Sequence, residues 1–151
     1  MNLHIRSANR EDIHAIAQLE QQLFAEHGYP IFFIRQALDC WPAGVYVAQV
    51  NRQLAGYVLI APTDHSADEA LMLSLAVSSS HQGQGIARKL VRHALAHTGQ
   101  YQKIKLTVAP ENEPALRLYQ SEGFQLIDRE SNYFGDGEER LVMCYQREST
   151  A

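Results

Sequence analysis

Apolar residues recur along this chain with two distinct periods. Ile13, Ile16 and Ala17, then Leu23 and Phe24 two turns on, form the stripe of one helical face. Spacings of three and four run through residues 32–38, through Ile86, Leu90 and Ala94 beside Ala87, Val91 and Leu95, and through Ala115, Leu118 and Tyr119. Alternating or continuous apolar runs predict strands at 3–6, 45–50, 54–60, 69–77, 103–108, 124–129 and 140–145. In the 69–77 run, Leu71, Leu73, Leu75 and Val77 share one face and Ala70, Met72, Ser74 and Ala76 the other. Both faces are largely apolar, which predicts a central strand.

Punctuation between the runs agrees. Asn9 is placed to cap the first helix, with Glu11 and Asp12 in its first turn; Gly28-Tyr29-Pro30 breaks that helix, and Trp41-Pro42 with Gly44 ends the second. Asn51-Arg52-Gln53 reads as a short hairpin connection, and residues 62–68 as a polar loop. Gly99 stops the third helix, Asn112 and Pro114 start the fourth, Gly123-Phe124 ends it, and Gly135-Asp136-Gly137 turns the chain back. The pattern predicts an α+β fold, a central, mostly antiparallel sheet of about seven strands with helices on both faces. With no repeat, linker or low-complexity stretch, residues 1–151 read as a single domain.

One position breaks the pattern. Glu20 lies within the apolar stripe of the first helix, where either a carboxylate bent to the surface or a helix end overlooking a cleft accounts for it. Aromatic residues are dense between Phe24 and Trp41.

Composition narrows the class. A chain of 151 residues buries roughly two-thirds of its unfolded surface and needs no disulfide framework. Cys40 and Cys144 lie far apart without metal-ligand spacing, so reduced thiols and a cytoplasmic location are expected. The N-terminal residues have no basic-then-apolar leader, and no apolar run reaches the roughly 18 residues of a bilayer span, so no membrane association is expected. A net charge of −4 with mixed signs argues against nucleic acid. His93 and His97 are four apart on one helix but lack a third ligand nearby, so no metal is expected.

The chemistry gathers where Leu75-Ala76-Val77 runs through Ser78 to Gly85 into the third helix. Amides in the first turn of a helix have no partner inside it and lie at the positive end of its dipole, a favourable place for a phosphate. Gly83 and Gly85 let the backbone come close to such a ligand. The stretch is neither GxGxxG nor a P-loop. The order Gln82-x-x-Gly85-x-Ala87 instead resembles the acyl-CoA signature of the GNAT N-acetyltransferase superfamily. A second stretch, Asn112-x-x-Ala115-x-x-Leu118-Tyr119-x-x-x-Gly123-Phe124, is similar to that family's other landmark. Leu19-Glu20, Asp68-Glu69-Ala70 and Asn132-Tyr133-Phe134 resemble the branch of the ribosomal-protein alanine N-acetyltransferases.

The resemblance implies the GNAT fold and acetyl-CoA as co-substrate. It implies that the strand before the loop splays from its neighbour, that the backbone of Leu75, Ala76 and Val77 pairs with the pantetheine arm, and that the loop from Gln82, Gly83, Gln84 and Gly85 into Ile86, Ala87 and Arg88 holds the diphosphate. Arg88, Lys89 and Arg92 form a local basic cluster that either meets an adenosine phosphate or is a solvated helix face. Asn112 would lie beside the pantetheine arm or serve simply as a helix cap.

Acetyl transfer to an amine needs a neutral nucleophile, an amide donor for the oxyanion and an acid for the departing thiolate. Tyr119 is the candidate acid, since a phenol with pKa about 10 keeps its proton at neutral pH. An amide near Ala76 or Val77 would serve the oxyanion. Where the branch commonly carries Glu or His as base, this chain has Thr107, which cannot take a proton. Glu69 or Glu20 acting through water, or deprotonation before binding, are the alternatives. The resemblance implies that Glu20, Tyr29, Thr107 and Tyr133 border the acceptor. The expected activity is transfer of acetyl to a primary amine, with a protein N-terminus first in line; a small-molecule amine and a non-catalytic acyl-CoA sensor are the alternatives. Either a monomer or a homodimer is compatible with the sequence.

Overall fold

The structure, a computed structural model, describes residues 2–135 and 137–148. In chain order the elements are β1 (Leu3–Ser7), α1 (Ile13–Phe24), α2 (Ile31–Cys40), β2 (Val45–Val50), β3 (Gln53–Pro62), β4 (Glu69–Val77), α3 (Ile86–His97), β5 (Lys103–Val108), α4 (Glu113–Ser121), β6 (Gln125–Glu130) and β7 (Arg140–Gln146). The strands form one seven-stranded sheet in the order β1-β2-β3-β4-β5-β7-β6. β4 is central, as its two apolar faces predict. It runs parallel to β5, whereas β1 with β2, β2 with β3, β5 with β7 and β6 with β7 are antiparallel. Two compact units share β4: Met1–Ala61 with Leu73–Thr98, and Pro62–Met72 with Gly99–Ala151.

In the first unit the start of α1 is set by Asn9. Its side chain accepts the Glu11 N–H at 2.9 Å, and Asp12 in return accepts the Asn9 N–H at 2.8 Å, a reciprocal capping box on a 3₁₀ turn that leads into the helix. Asp12 also accepts from both terminal guanidinium nitrogens of Arg6, Nη1 and Nη2, at 2.8 Å, which fastens β1 to the helix start. Ile13, Ile16 and Leu19 of α1 and Ile34, Ala37 and Leu38 of α2 pack on Val45, Val47, Tyr57 and Leu59, one face of β2 and β3. α3 covers the opposite face, where Tyr46 meets the edge of the His93 ring and Gly56 lies under Leu90. The helices thus lie on both faces, as expected.

The hairpin differs in detail from its sequence reading. Its loop is two residues long, since Val50 pairs with Gln53. Asn51 and Arg52 both take positive φ, 51° and 70°, the turn whose twist matches that of the flanking strands. A bulge in register between Ala48 and Gln49 follows.

In the second unit β5 pairs with β7 from Lys103–Gln146 to Val108–Leu141. α4 begins at Asn112, whose side chain accepts the Ala115 N–H at 3.3 Å. It ends in a Schellman motif: Gly123, at φ 101°, donates its N–H to Gln120 at 3.1 Å, and Phe124 donates to the carbonyl of Tyr119 at 2.9 Å. The motif takes up Phe124, so β6 begins one residue later than the apolar run suggests. β6 is exposed along its length at the end of the sheet, and Ile127 is the extra residue of a bulge against β7. The predicted Gly135-Asp136-Gly137 turn includes Asp136, which lies outside the described residues; Gly135 and Gly137 have φ of 130° and 80°.

Candidate active site

β4 carries the first half of the candidate chemistry. Its ladder with β5 holds in register only from Glu69–Lys103 to Leu71–Lys105, while β4 itself continues to Val77. The bulky face of β4 is the open one: Leu71, Leu73 and Leu75 are half-buried, whereas Ala70, Met72, Ser74 and Ala76 are buried. Beyond Val77 a 3₁₀ turn at Ser79–His81 leads to Gln82, whose side-chain amide donates to the Val77 carbonyl at 3.2 Å and holds the loop against the strand end.

Gly83 and Gly85 have φ of 79° and 78°, and a Cβ at either position would meet no atom within 4 Å. Packing therefore does not require these glycines; the left-handed backbone does. Gly85 is the N-cap of α3, and no side chain among the described residues caps that terminus. Gln82, Gly83, Gln84 and Gly85 are exposed, and Arg88 is half-buried on the first turn. Open space, an uncapped helix start and two left-handed glycines fit a diphosphate well. The arrangement also shows why Ala87 suits the first turn, since it is small and half-buried there.

Tyr119 sits on the inner face of α4 with 9% of its surface accessible. Its ring meets Phe124 edge-on, with centroids 5.6 Å apart, the hydrophobic contact that accompanies the Schellman turn. The landmark Tyr-x-x-x-Gly-Phe is therefore a device that fixes a tyrosine by ending a helix beneath it. Burial pushes the Tyr119 phenol up to about 12, so it keeps its proton through neutral pH. The hydroxyl has no hydrogen-bond partner among the described residues, and no side-chain oxygen among them is both buried and unsatisfied. That hydroxyl is thus open to an incoming group. Asn112 uses its oxygen as the α4 cap and keeps its amide nitrogen for another acceptor. Thr107 is half-buried on β5 opposite Val142, and Tyr133 lies on the surface with its ring against Phe134.

The two carboxylates have separate surroundings. Glu20 is no surface residue: 1% of it is accessible. Its Oε1 accepts hydrogen bonds from the Tyr57 hydroxyl and, at 2.6 Å, from the Ser74 hydroxyl, and its Oε2 accepts the Tyr29 N–H at 3.3 Å. The expectation of a bent, solvated side chain fails because these three donors satisfy the carboxylate inside the core. Tyr29 in turn donates its hydroxyl to the Leu73 carbonyl at 3.4 Å and stacks on Phe33 at 4.4 Å. Glu69 is also buried, 3.0 Å from the Lys105 ammonium and 3.2 Å from the Thr63 hydroxyl. Burial works to raise its pKa, but the Lys105 bond and charge and the Thr63 bond outweigh it and hold the carboxyl below its ordinary value. The two carboxylates share no partner among the described residues.

Sequence reasoning missed Tyr57, Ser74, Thr63 and Lys105. Tyr57 and Ser74 did leave a signal: each puts a hydroxyl into an otherwise apolar strand, and a buried hydroxyl needs a partner.

The profile of the acetyltransferase (GNAT) family matches residues 11–124. The chain is 32% identical over 136 residues to the N-alpha-acetyltransferase RimI of Mycobacterium tuberculosis, covering 86% of this chain and 83% of that protein. It is 28% identical over 148 residues to the N-alpha-acetyltransferase daf-31 of Caenorhabditis elegans, covering 93% and 81%. Its structure superimposes on a chain from the crystal structure of the NatC complex bound to Gag peptide and CoA with a TM-score of 0.87, 26% identity and coverage of 98% and 100%. A family profile spanning three-quarters of the sequence, on a structure with this sheet order and this strand-loop-helix junction, settles the assignment: the chain belongs to the GNAT acetyltransferase family.

Proposed function

We propose that this enzyme transfers the acetyl group of acetyl-CoA to the α-amine of a protein or peptide N-terminus. The observation that carries the reading is the end of β4. Its ladder to β5 stops after Leu71, and the strand runs on into an open, doubly left-handed glycine loop at the head of α3.

In this reading the amides from Gln82 to Arg88 gather the diphosphate, and the backbone of Leu75, Ala76 and Val77 receives the pantetheine arm. The side-chain nitrogen of Asn112 serves as a further donor. Acetyl-CoA supplies an acyl group already activated as a thioester. Tyr119 holds its proton for the sulfur that departs, a role suited to a phenol whose pKa burial pushes up to about 12. Tyr29 and Tyr133 border the acceptor.

The state of the carboxylates bears on the acceptor. Glu69 is committed to Lys105 and Thr63, Glu20 to Tyr57, Ser74 and the Tyr29 N–H, and Thr107 takes no proton. The amine therefore arrives already neutral. An α-amine of pKa about 8 supplies that form readily at pH near 7.5, whereas a lysine with pKa about 10.4 costs about 4 kcal/mol to deprotonate there. The names of the relatives, N-alpha-acetyltransferases, support the same class of acceptor.

The test is thiol release from acetyl-CoA over N-terminal peptides, lysine peptides and small amines. Peptides with a free α-amine should turn over fastest; preference for a small amine would replace the acceptor, and binding without release over the whole panel would make the protein a sensor. Tyr119→Phe should lower kcat at least tenfold with acetyl-CoA affinity unchanged within twofold. Unaltered turnover would remove Tyr119 from the chemistry.

A further inference from the structure

We propose that Glu20 is a positioning residue for the amine acceptor: its buried carboxylate latches the connection between α1 and α2 to β4. The proposal rests on the N-acetyltransferase reading above and assigns Glu20 a part other than proton removal.

The carboxylate stands inside the core of the first unit without a compensating cation. Its partners are the Tyr57 and Ser74 hydroxyls and the Tyr29 N–H, and no lysine, arginine or histidine among the described residues pairs with it. Burying a carboxylate is far costlier than burying an aliphatic side chain, and here three neutral donors must compensate for its hydration. Leu19, next in sequence, fills the same core with carbon. A leucine at position 20 would pack there but could hold nothing.

What Glu20 holds is a tight, strained segment. Ala25, the C-cap of α1, sits at φ 50° and ψ −119°, a conformation strongly disfavoured for a residue with a Cβ. Gly28 folds back so closely that a Cβ would stand 2.6 Å from the Glu20 carbonyl oxygen. Strain of this kind persists only where the surroundings fix it. Besides its own turn bonds, the segment is tied to its surroundings by the Tyr29 N–H on Glu20, the Tyr29 hydroxyl on the Leu73 carbonyl and the Tyr29 ring on Phe33. The same carboxylate takes the Ser74 hydroxyl, so one side chain sets both the connection and the stretch of β4 that leads into Leu75.

The isosteric change Glu20→Gln separates these roles. Its oxygen can still serve Tyr57 and Ser74, but its NH₂ then faces the Tyr29 N–H, donor against donor. The connection is released while the core keeps its shape.

The experiment measures both Michaelis constants in the intact protein, with acetyl-CoA and an N-terminal peptide that the wild type acetylates, together with amide exchange at Tyr29. Glu20→Gln should raise the acceptor KM at least fivefold, leave the acetyl-CoA KM within twofold, and speed exchange of the Tyr29 amide at least tenfold. Ile16→Val, a packing change in the same core, should alter neither KM. An acceptor KM within twofold of wild type in Glu20→Gln, or an equal rise in Ile16→Val, overturns the proposal. If Glu20→Gln is recovered unfolded, Tyr57→Phe decides: loss of one donor should raise the acceptor KM at least twofold, and no rise overturns the latch. A wild type that acetylates no amine would instead overturn the catalytic reading, and the Tyr29 exchange rates would still decide whether Glu20 holds the connection.

Discussion

Asp12 and Glu69 show how the partners of a buried carboxylate set the pH range of its contribution. For Asp12, burial raises the pKa, but the Arg6 bonds and the Asn9 N–H together bring it below the ordinary value. A carboxyl that binds protons less readily folded than unfolded adds stability above its unfolded pKa, about 4, and loses it as pH falls through the folded value. Glu69 has the same sign. Thermal melts of the wild type from pH 7 to 3 should therefore show a falling midpoint below about pH 4.5. The double variant Asp12→Asn, Glu69→Gln should start lower at pH 7 and follow a flatter acid limb. Equal slopes would show that neither pair stabilises the fold. Burial pushes the Tyr119 phenol up to about 12, so it holds its proton at neutral pH, which suits the proton donor proposed above.

At the scale of elements, the close approach of β3 to β4 is a point of control. A Cβ at Gly56 would stand 2.8 Å from the Ala76 carbonyl oxygen and 3.1 Å from Leu90 Cδ1. Gly56→Ala must displace the backbone of β4 near Val77; it should weaken acetyl-CoA binding at least fivefold by calorimetry and cost about 1–3 kcal/mol in stability. Gly99→Ala, with open space around it, should change neither. Periodicity made these elements legible because strand and helix patterning is local: Ile86 to Leu95 shows its stripe within three turns. The hairpin was misread by one residue because Asn51 and Arg52 reach positive φ without glycine. The left-handed glycines of the loop and the turn that ends α4 at Gly123 were legible because each is formed by neighbours in sequence. The burial of Glu20 was not, because Tyr57 lies 37 residues away and Ser74 54, and only the fold brings them together. Lys105 was hidden likewise, since its place beside Glu69 depends on the register of a parallel pair.

The whole molecule should respond to its co-substrate as a single thermodynamic system. A ligand that binds only the folded chain adds about 2.7 kcal/mol at 100 times its Kd, which for a domain of this size moves the melting midpoint by about 5–10 °C. Acetyl-CoA should produce that shift in the wild type and much less in Gly85→Val, where a β-branched side chain opposes the left-handed turn. No shift in the wild type would remove the loop as the cofactor site.

At the far end of the sheet, β6 turns Leu126 and Ile127 outward at 57% and 52% exposure. An adhesive rim of this sort invites other chains to zip on, and here the bulge and the charged run Asp128-Arg129-Glu130 stand in the way. Charge deters neighbours only across a Debye length, about 10 Å in 0.1 M salt and about 3 Å in 1 M. Concentrated stocks should therefore keep longest in dilute buffer, because brine strips the rim of its guard.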